Sequence, residues 1–314
     1  MRLRAIPAAL LVVATIAGSI PSSTGAWPLA DAPRCKIFPA DNHWNLRVDH
    51  LPVKDNSDEI VASIGSNEAL HPDFGSGRWE GAPIGIPVNV VGRSHRRVPV
   101  SFTYARESDR GPYPIPRRPK IEGGSRSDGD RHVLVVDKSR CKLFELFAAY
   151  PRRQGDGWRA GSGAIWDLDS NRLRLRGWTS ADAAGLPILP GLARHRDIRK
   201  GKIDHALRFT VSRSRRAFIY PARHYASDLT DPNLPAMGER LRLRADFDIS
   251  GYPRQVRIIL RALKQYGMIV ADNGSDWYIT GSPSRHWNND ALHRLHEITG
   301  ENFEVVDTSL LPRP

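Results

Sequence analysis

Short runs with strand character are spread along the whole chain, and the few helical runs do not alternate with them. The runs 98–104 (VPVSFTY), 132–137 (HVLVVD), 142–147 (KLFELF) and 205–211 (HALRFTV) place apolar residues two apart among β-branched and aromatic neighbours. The series continues at 217–220 (AFIY), 240–247 (RLRLRADF), 268–271 (MIVA), 277–280 (WYIT) and 303–306 (FEVV). Short polar connections at 138–141 and 273–275 read as hairpin turns. Helices are expected at 58–64, 255–266 and 289–298. In the second, Val256, Ile259, Leu260 and Leu263 share one face, Arg254, Arg257, Arg261 and Lys264 share the other, and Gly267 stops it. Helices do not alternate regularly with the strands, which argues against a parallel α/β sheet. The expectation is a mainly β fold: an antiparallel, jelly-roll-like β-sandwich with a few peripheral helices, forming a single domain over 27–314. The segment 106–130, with neither period, reads as one long surface loop.

Residues 1–26 read as a secretory signal peptide. Arg2 and Arg4 precede an apolar run of about ten residues from Ala8, followed by the small residues Thr24, Gly25 and Ala26. That run is half of the roughly 20 residues a membrane span needs, so the protein is expected to be secreted and not membrane-anchored. In an oxidising compartment Cys35 and Cys141, the only two cysteines, are expected to form one disulfide. Two are too few for a cysteine-rich zinc site.

The formal net charge is +12, and 38 of the 46 basic residues are arginine. Such a chain gathers near anionic polymers. The arginines are nevertheless dispersed, and in RLRLR and LRLRA they alternate with leucine, which reads as Leu inward and Arg toward solvent on a sheet face. No zinc finger, helix-turn-helix or RNP motif accompanies them, so no specific nucleic-acid partner is expected.

No nucleophile elbow, P-loop, HExxH or EF-hand motif is present. Polar residues at strand rims remain. His132 and His205 open strands in phase with their apolar faces, and His224 follows another. Meeting at one sheet surface, the three would hold a divalent metal ion, or act as acid and base with Asp130 or Glu145. Glu145 sits on an apolar strand and needs a partner or a chemical task. Trp166, Asp167, Trp178, Asp182 and Arg131 are candidate substrate-binding residues, because aromatic faces stack on sugar rings and the acids lie beside them. Asp167, Asp182 and Asp272 are further carboxylates for an acid–base pair, although Asp272, before Asn273-Gly274, is at a position more often held by a turn former.

The stretches FPADNHWN (38–45), DGDRHVLVVD (128–137), GWTSADAAGLPILPGL (177–192) and YGMIVADNGSDWYITG (266–281) resemble bacterial exported proteins of unknown function. The strand-rich, aromatic-rich build is similar in general character to secreted β-sandwich glycan hydrolases and lyases. The resemblance assigns no residue a role. The function expected is a secreted carbohydrate-active enzyme, a hydrolase or lyase, on an extracellular or cell-wall polysaccharide. The competing expectation is a non-catalytic cell-wall or glycan-binding protein held by an anionic polymer. A metal-dependent phosphoesterase or nuclease is a third.

Overall fold

The computed structural model describes residues 28–153 and 155–313, so the expected signal peptide lies outside the described residues. Strands dominate and helices are few, as read from the sequence. The strands form two principal sheets and two small ones. A six-stranded sheet runs in the order His71–Asp73, Tyr278–Thr280, Leu207–Val211, Met268–Asn273, Arg240–Leu243, Phe303–Val305. A four-stranded sheet runs Ser162–Asp167, Lys142–Phe147, Val133–Asp137, Val88–Val91. Three strand pairs in these two sheets are parallel: His71–Asp73 with Tyr278–Thr280, Leu207–Val211 with Met268–Asn273, and Val88–Val91 with Val133–Asp137.

Mixed pairing departs from the purely antiparallel expectation, and its cause is visible. Between the parallel neighbours Leu207–Val211 and Met268–Asn273 lies the helix Arg254–Gln265, the return path a parallel pair requires. Its apolar face, Val256, Ile259, Leu260 and Leu263, is buried in the core of the six-stranded sheet, as its period predicts. Gly267 ends it at φ 66°, where a Cβ would lie 2.2 Å from the Leu241 carbonyl oxygen, so no larger residue fits. The helix Asn289–His293 begins where expected, with the Asn288 side chain accepting from the Ala291 N–H.

The four-stranded sheet is covered on both faces. Leu134, Val136, Leu143 and Trp166 pack on one side with Ile188, Leu189 and the disulfide Cys35–Cys141. Val133, Val135, Phe144 and Leu146 pack on the other with Tyr113, Ile115 and Ile121. The last three belong to segment 106–130, so that segment is anchored in the core instead of lying over the surface. The alternating arginines of 240–244 also differ from expectation: Arg240 and Arg242 are buried. Chain 43–51 covers their face, and they donate to the carbonyls of His43, Leu46, Val48 and Leu51 and to Glu304. Segment 217–220 contributes only an isolated bridge from Phe218 to Met237. No helix among the described residues is long and apolar enough to cross a membrane.

Candidate active site

Strand pairing lines up polar side chains on one face of the six-stranded sheet. In Leu207–Val211, residues 207, 209 and 211 point into the core, which leaves Arg208 and Thr210 on the opposite face. Asp73 pairs with Thr280, and the Thr280 hydroxyl accepts from Arg208 Nη1 at 2.5 Å. Regular pairing would put Asp272 opposite Val211, facing the core. Instead a bulge inserts Ala271, and Asp272 pairs with Thr210. One extra backbone residue therefore turns a carboxyl from the core side to the polar side.

Loop 177–188 lies over this polar face and joins the two sheets. Ala181 packs in the core of the four-stranded sheet and Ala184 in that of the six-stranded sheet. Between them, fully buried Asp182 takes a bidentate pair from Arg208, at 2.9 Å from Nε and 2.7 Å from Nη2. Asp272 lies 4.0 Å from Arg208 and hydrogen-bonds to the Asp182 carboxyl. Burial, and then the charge of Asp182, raise the Asp272 pKa well above its ordinary value, which favours the protonated form.

The next residue of the loop ties this acid to a base. The Ala183 N–H donates to Asp272 Oδ2 at 3.2 Å, and the Ala183 carbonyl lies 3.0 Å from His224 Nδ1. A carbonyl only accepts, so Nδ1 carries the hydrogen and Nε2 is the ring nitrogen that can accept a proton. That nitrogen is 3.8 Å from Glu107 Oε2. Asp272, His224, Glu107 and Asp182 line one open cavity of about 380 Å³, together with Asp130, Ser162, Tyr104 and Phe147. Among the described residues, no lysine or arginine is in its lining.

His132 buttresses the cavity from the four-stranded sheet. Its Nε2 donates to the Ala181 carbonyl at 3.0 Å and its Nδ1 lies 2.5 Å from Glu122 Oε2. Burial alone would depress its pKa, but the charge and hydrogen bond of Glu122 prevail and raise it to about 9. His132 is thus an imidazolium with both N–H groups engaged. Glu122, Asp130 and His132 offer ligand atoms within 4.8 Å of one another, but a cation there would need His132 to release one of its two hydrogen bonds.

His132, His224, Asp130 and Asp182 therefore come together, whereas His205 does not join them. Buried, it bonds through Nδ1 to the Ala206 carbonyl, and its Nε2 lies 3.7 Å from Asp197. Glu145 stands behind the wall, fully buried, accepting from the N–H groups of Ile188 and Leu189 and from Trp166 Nε1. Burial outweighs those bonds and pushes it up to about 7. Its partners are two backbone amides and an indole. Arg131 is buried too, donating to the carbonyls of Ala149, Gly124, Ser125 and Ser127, which shapes the loop before Asp130. Asp167 faces solvent, paired with Lys142 at 3.1 Å. Trp166 is buried, and Trp178 is half-buried under Arg174. Sequence reasoning missed Arg208, Glu122 and Glu107. An arginine inside an otherwise apolar strand is a signal for the first, while nothing in the residue pattern marks the other two.

No protein-family model, curated protein or solved structure matches this chain. The reading of the cavity rests on its own chemistry.

Proposed function

We propose that this chain is a secreted hydrolase that cleaves a polysaccharide by general acid–base catalysis. One observation carries the reading: a single residue, Ala183, holds a carboxyl of raised pKa, Asp272, with its N–H and an oriented imidazole, His224, with its carbonyl, and both line one cavity. In the reaction Asp272 gives its proton to the departing glycosidic oxygen as the carbon–oxygen bond breaks. His224 Nε2 takes a proton from the attacking water, whose oxygen bonds to the sugar carbon. Solvent then returns the proton from His224 to Asp272. Arg208 fixes the Asp182 carboxyl beside Asp272 with its bidentate pair, and the charge of Asp182 raises the Asp272 pKa. Half-exposed Tyr104 at the rim offers a ring to a sugar face.

The lining also favours hydrolysis over elimination. A lyase acting on a uronic-acid polymer would bring the substrate carboxylate against Glu107, Asp130 and Asp182 with no lysine or arginine among the described residues of the wall to receive it. The substrate class is therefore a neutral or amino-sugar polymer. The disulfide Cys35–Cys141 accords with folding in an oxidising compartment.

The test is release of reducing ends from neutral and amino-sugar polysaccharides. Asp272→Asn keeps the acceptor for the Ala183 N–H but has no acidic proton to give, and is expected to lower turnover by about 10²–10⁴-fold. His224→Gln is expected to do the same. A wild-type protein that binds these polymers without cleaving them supports the glycan-binding reading instead, for which Trp79, 73 % exposed on a separate cavity with His71, His293 and His296, is the evident stacking surface.

A further inference from the structure

We propose that a second cavity, on the edge of the four-stranded sheet, binds a phosphate, sulfate or carboxylate group carried by a small molecule or sugar unit. The cavity lies between the edge strand Val88–Val91, the helix His195–Lys200, the turn at 282–286 and the segment 29–31. Its lining includes Lys120, Arg194, Arg196, Arg199 and Ser282, against one carboxylate, Asp31.

Charge alone would not make it a site. The deciding feature is Arg194, whose side chain is 5 % exposed. Its Nε donates to Asp197 Oδ2 at 2.8 Å, yet Nη1 and Nη2, equally buried, have no hydrogen-bond partner. Two further lining groups share the condition: Arg196 Nε and Ser282 Oγ are buried without partners. Buried donors are almost always satisfied, and a guanidinium fork with both terminal nitrogens unpartnered matches the paired oxygens of an oxyanion. Asp197 fixes the fork from behind, so Arg194 is oriented before any ligand arrives. Lys120 and the exposed Arg199 supply the remaining charge at the rim. The cavity holds about 450 Å³, within the range of small-molecule sites, so the anionic group belongs to a ligand larger than a bare ion.

The experiment titrates the protein with inorganic phosphate, hexose 6-phosphate, hexose 6-sulfate and a hexuronic acid at constant ionic strength, by calorimetry and thermal shift, with chloride as the control. Saturable binding of at least one oxyanion is expected, tighter for the sugar esters than for inorganic phosphate. The preferred ester or acid identifies the group, and phosphate binding as tightly as its hexose ester identifies a free anion as the ligand. Arg194→Lys keeps the charge opposite Asp197 but removes the fork, and is expected to weaken binding at least tenfold. Because Arg194 is buried, the rim variant Lys120→Ala/Arg199→Ala provides a second test and is expected to weaken binding about tenfold with the fold intact. No saturable binding of any probe, or affinities unchanged in both variants, overturns the proposal. Neither result depends on glycan cleavage, so this site and the hydrolytic one stand or fall separately.

Discussion

Among the described residues, the cavity around Asp272 has four acids and no lysine or arginine in its lining, whereas the cavity against helix His195–Lys200 has Lys120 and three arginines. Both belong to a chain with 46 basic residues, so overall charge predicts neither. The difference lies in what the arginines do. Around the acidic cavity they are cross-links behind the wall: Arg208 grips Asp182, Arg174 ties Asp109 to the Thr179 and Glu107 carbonyls, and Arg131 fastens its loop. In the basic cavity the Arg194 fork has unpartnered donors. Counting the partners of each arginine therefore separates structural cations from binding cations where counting charges does not.

The contrast can be broken most severely at Arg208. Arg208→Met leaves Asp182 buried without its counter-ion and is expected to cost about 3–5 kcal/mol, read as a shift in the urea midpoint. In the proposed mechanism Asp182 supports the raised pKa of Asp272, so the surviving protein should also lose turnover. Unchanged stability would show that the cross-link is not what holds the acidic wall.

A smaller effect is expected from pH. His132 titrates near 9 in the folded protein against 6.5 when unfolded, so its contribution is complete below about 6.5 and is lost as pH rises to about 9. The loss amounts to up to ~3 kcal/mol at the shift-to-energy conversion of 1.36 kcal/mol per pH unit. Glu145, raised to about 7, acts with the same sign at lower pH, because its ionisation between about 4.5 and 7 is disfavoured in the fold. Urea midpoints should fall across pH 6.5–9, and His132→Gln should flatten that slope. A slope retained in the variant would assign the titration to another group.

The smallest effect is expected in the basic cavity without ligand. Arg199 is exposed and its charge opposes those of its neighbours, so Arg199→Ala should stay within about 0.5 kcal/mol of wild type. A loss of several kcal/mol would make it a structural arginine after all and bring the two cavities closer in kind.

How far the sequence announced all this varies residue by residue. The helix Arg254–Gln265 and the Cys35–Cys141 bridge were legible, because each follows from a local period or from elimination among two cysteines. His132, His224 and Asp130 were legible as polar residues near strand ends, and Asp182 as an acid close to Trp178. His205 shows the weakness of that criterion: the alternation that aligned it with Leu207 and Phe209 also carried it into the core. Asp272 reads first as a turn former because a bulge leaves no mark in the alternation of MIVADN. Arg208 lay in view, but its partner Asp182 is 26 residues away in a segment with no period, and only the folded chain brings them together. The mixed pairing of the sheets was likewise hidden, since strand direction depends on where the connections return.

The grip of Ala183 on both Asp272 and His224 has a mechanical consequence. Two groups far apart in sequence are gauged against one peptide unit, so their spacing is set by the width of a single residue, and the loop acts as a calliper with Asp272 and His224 at its jaws.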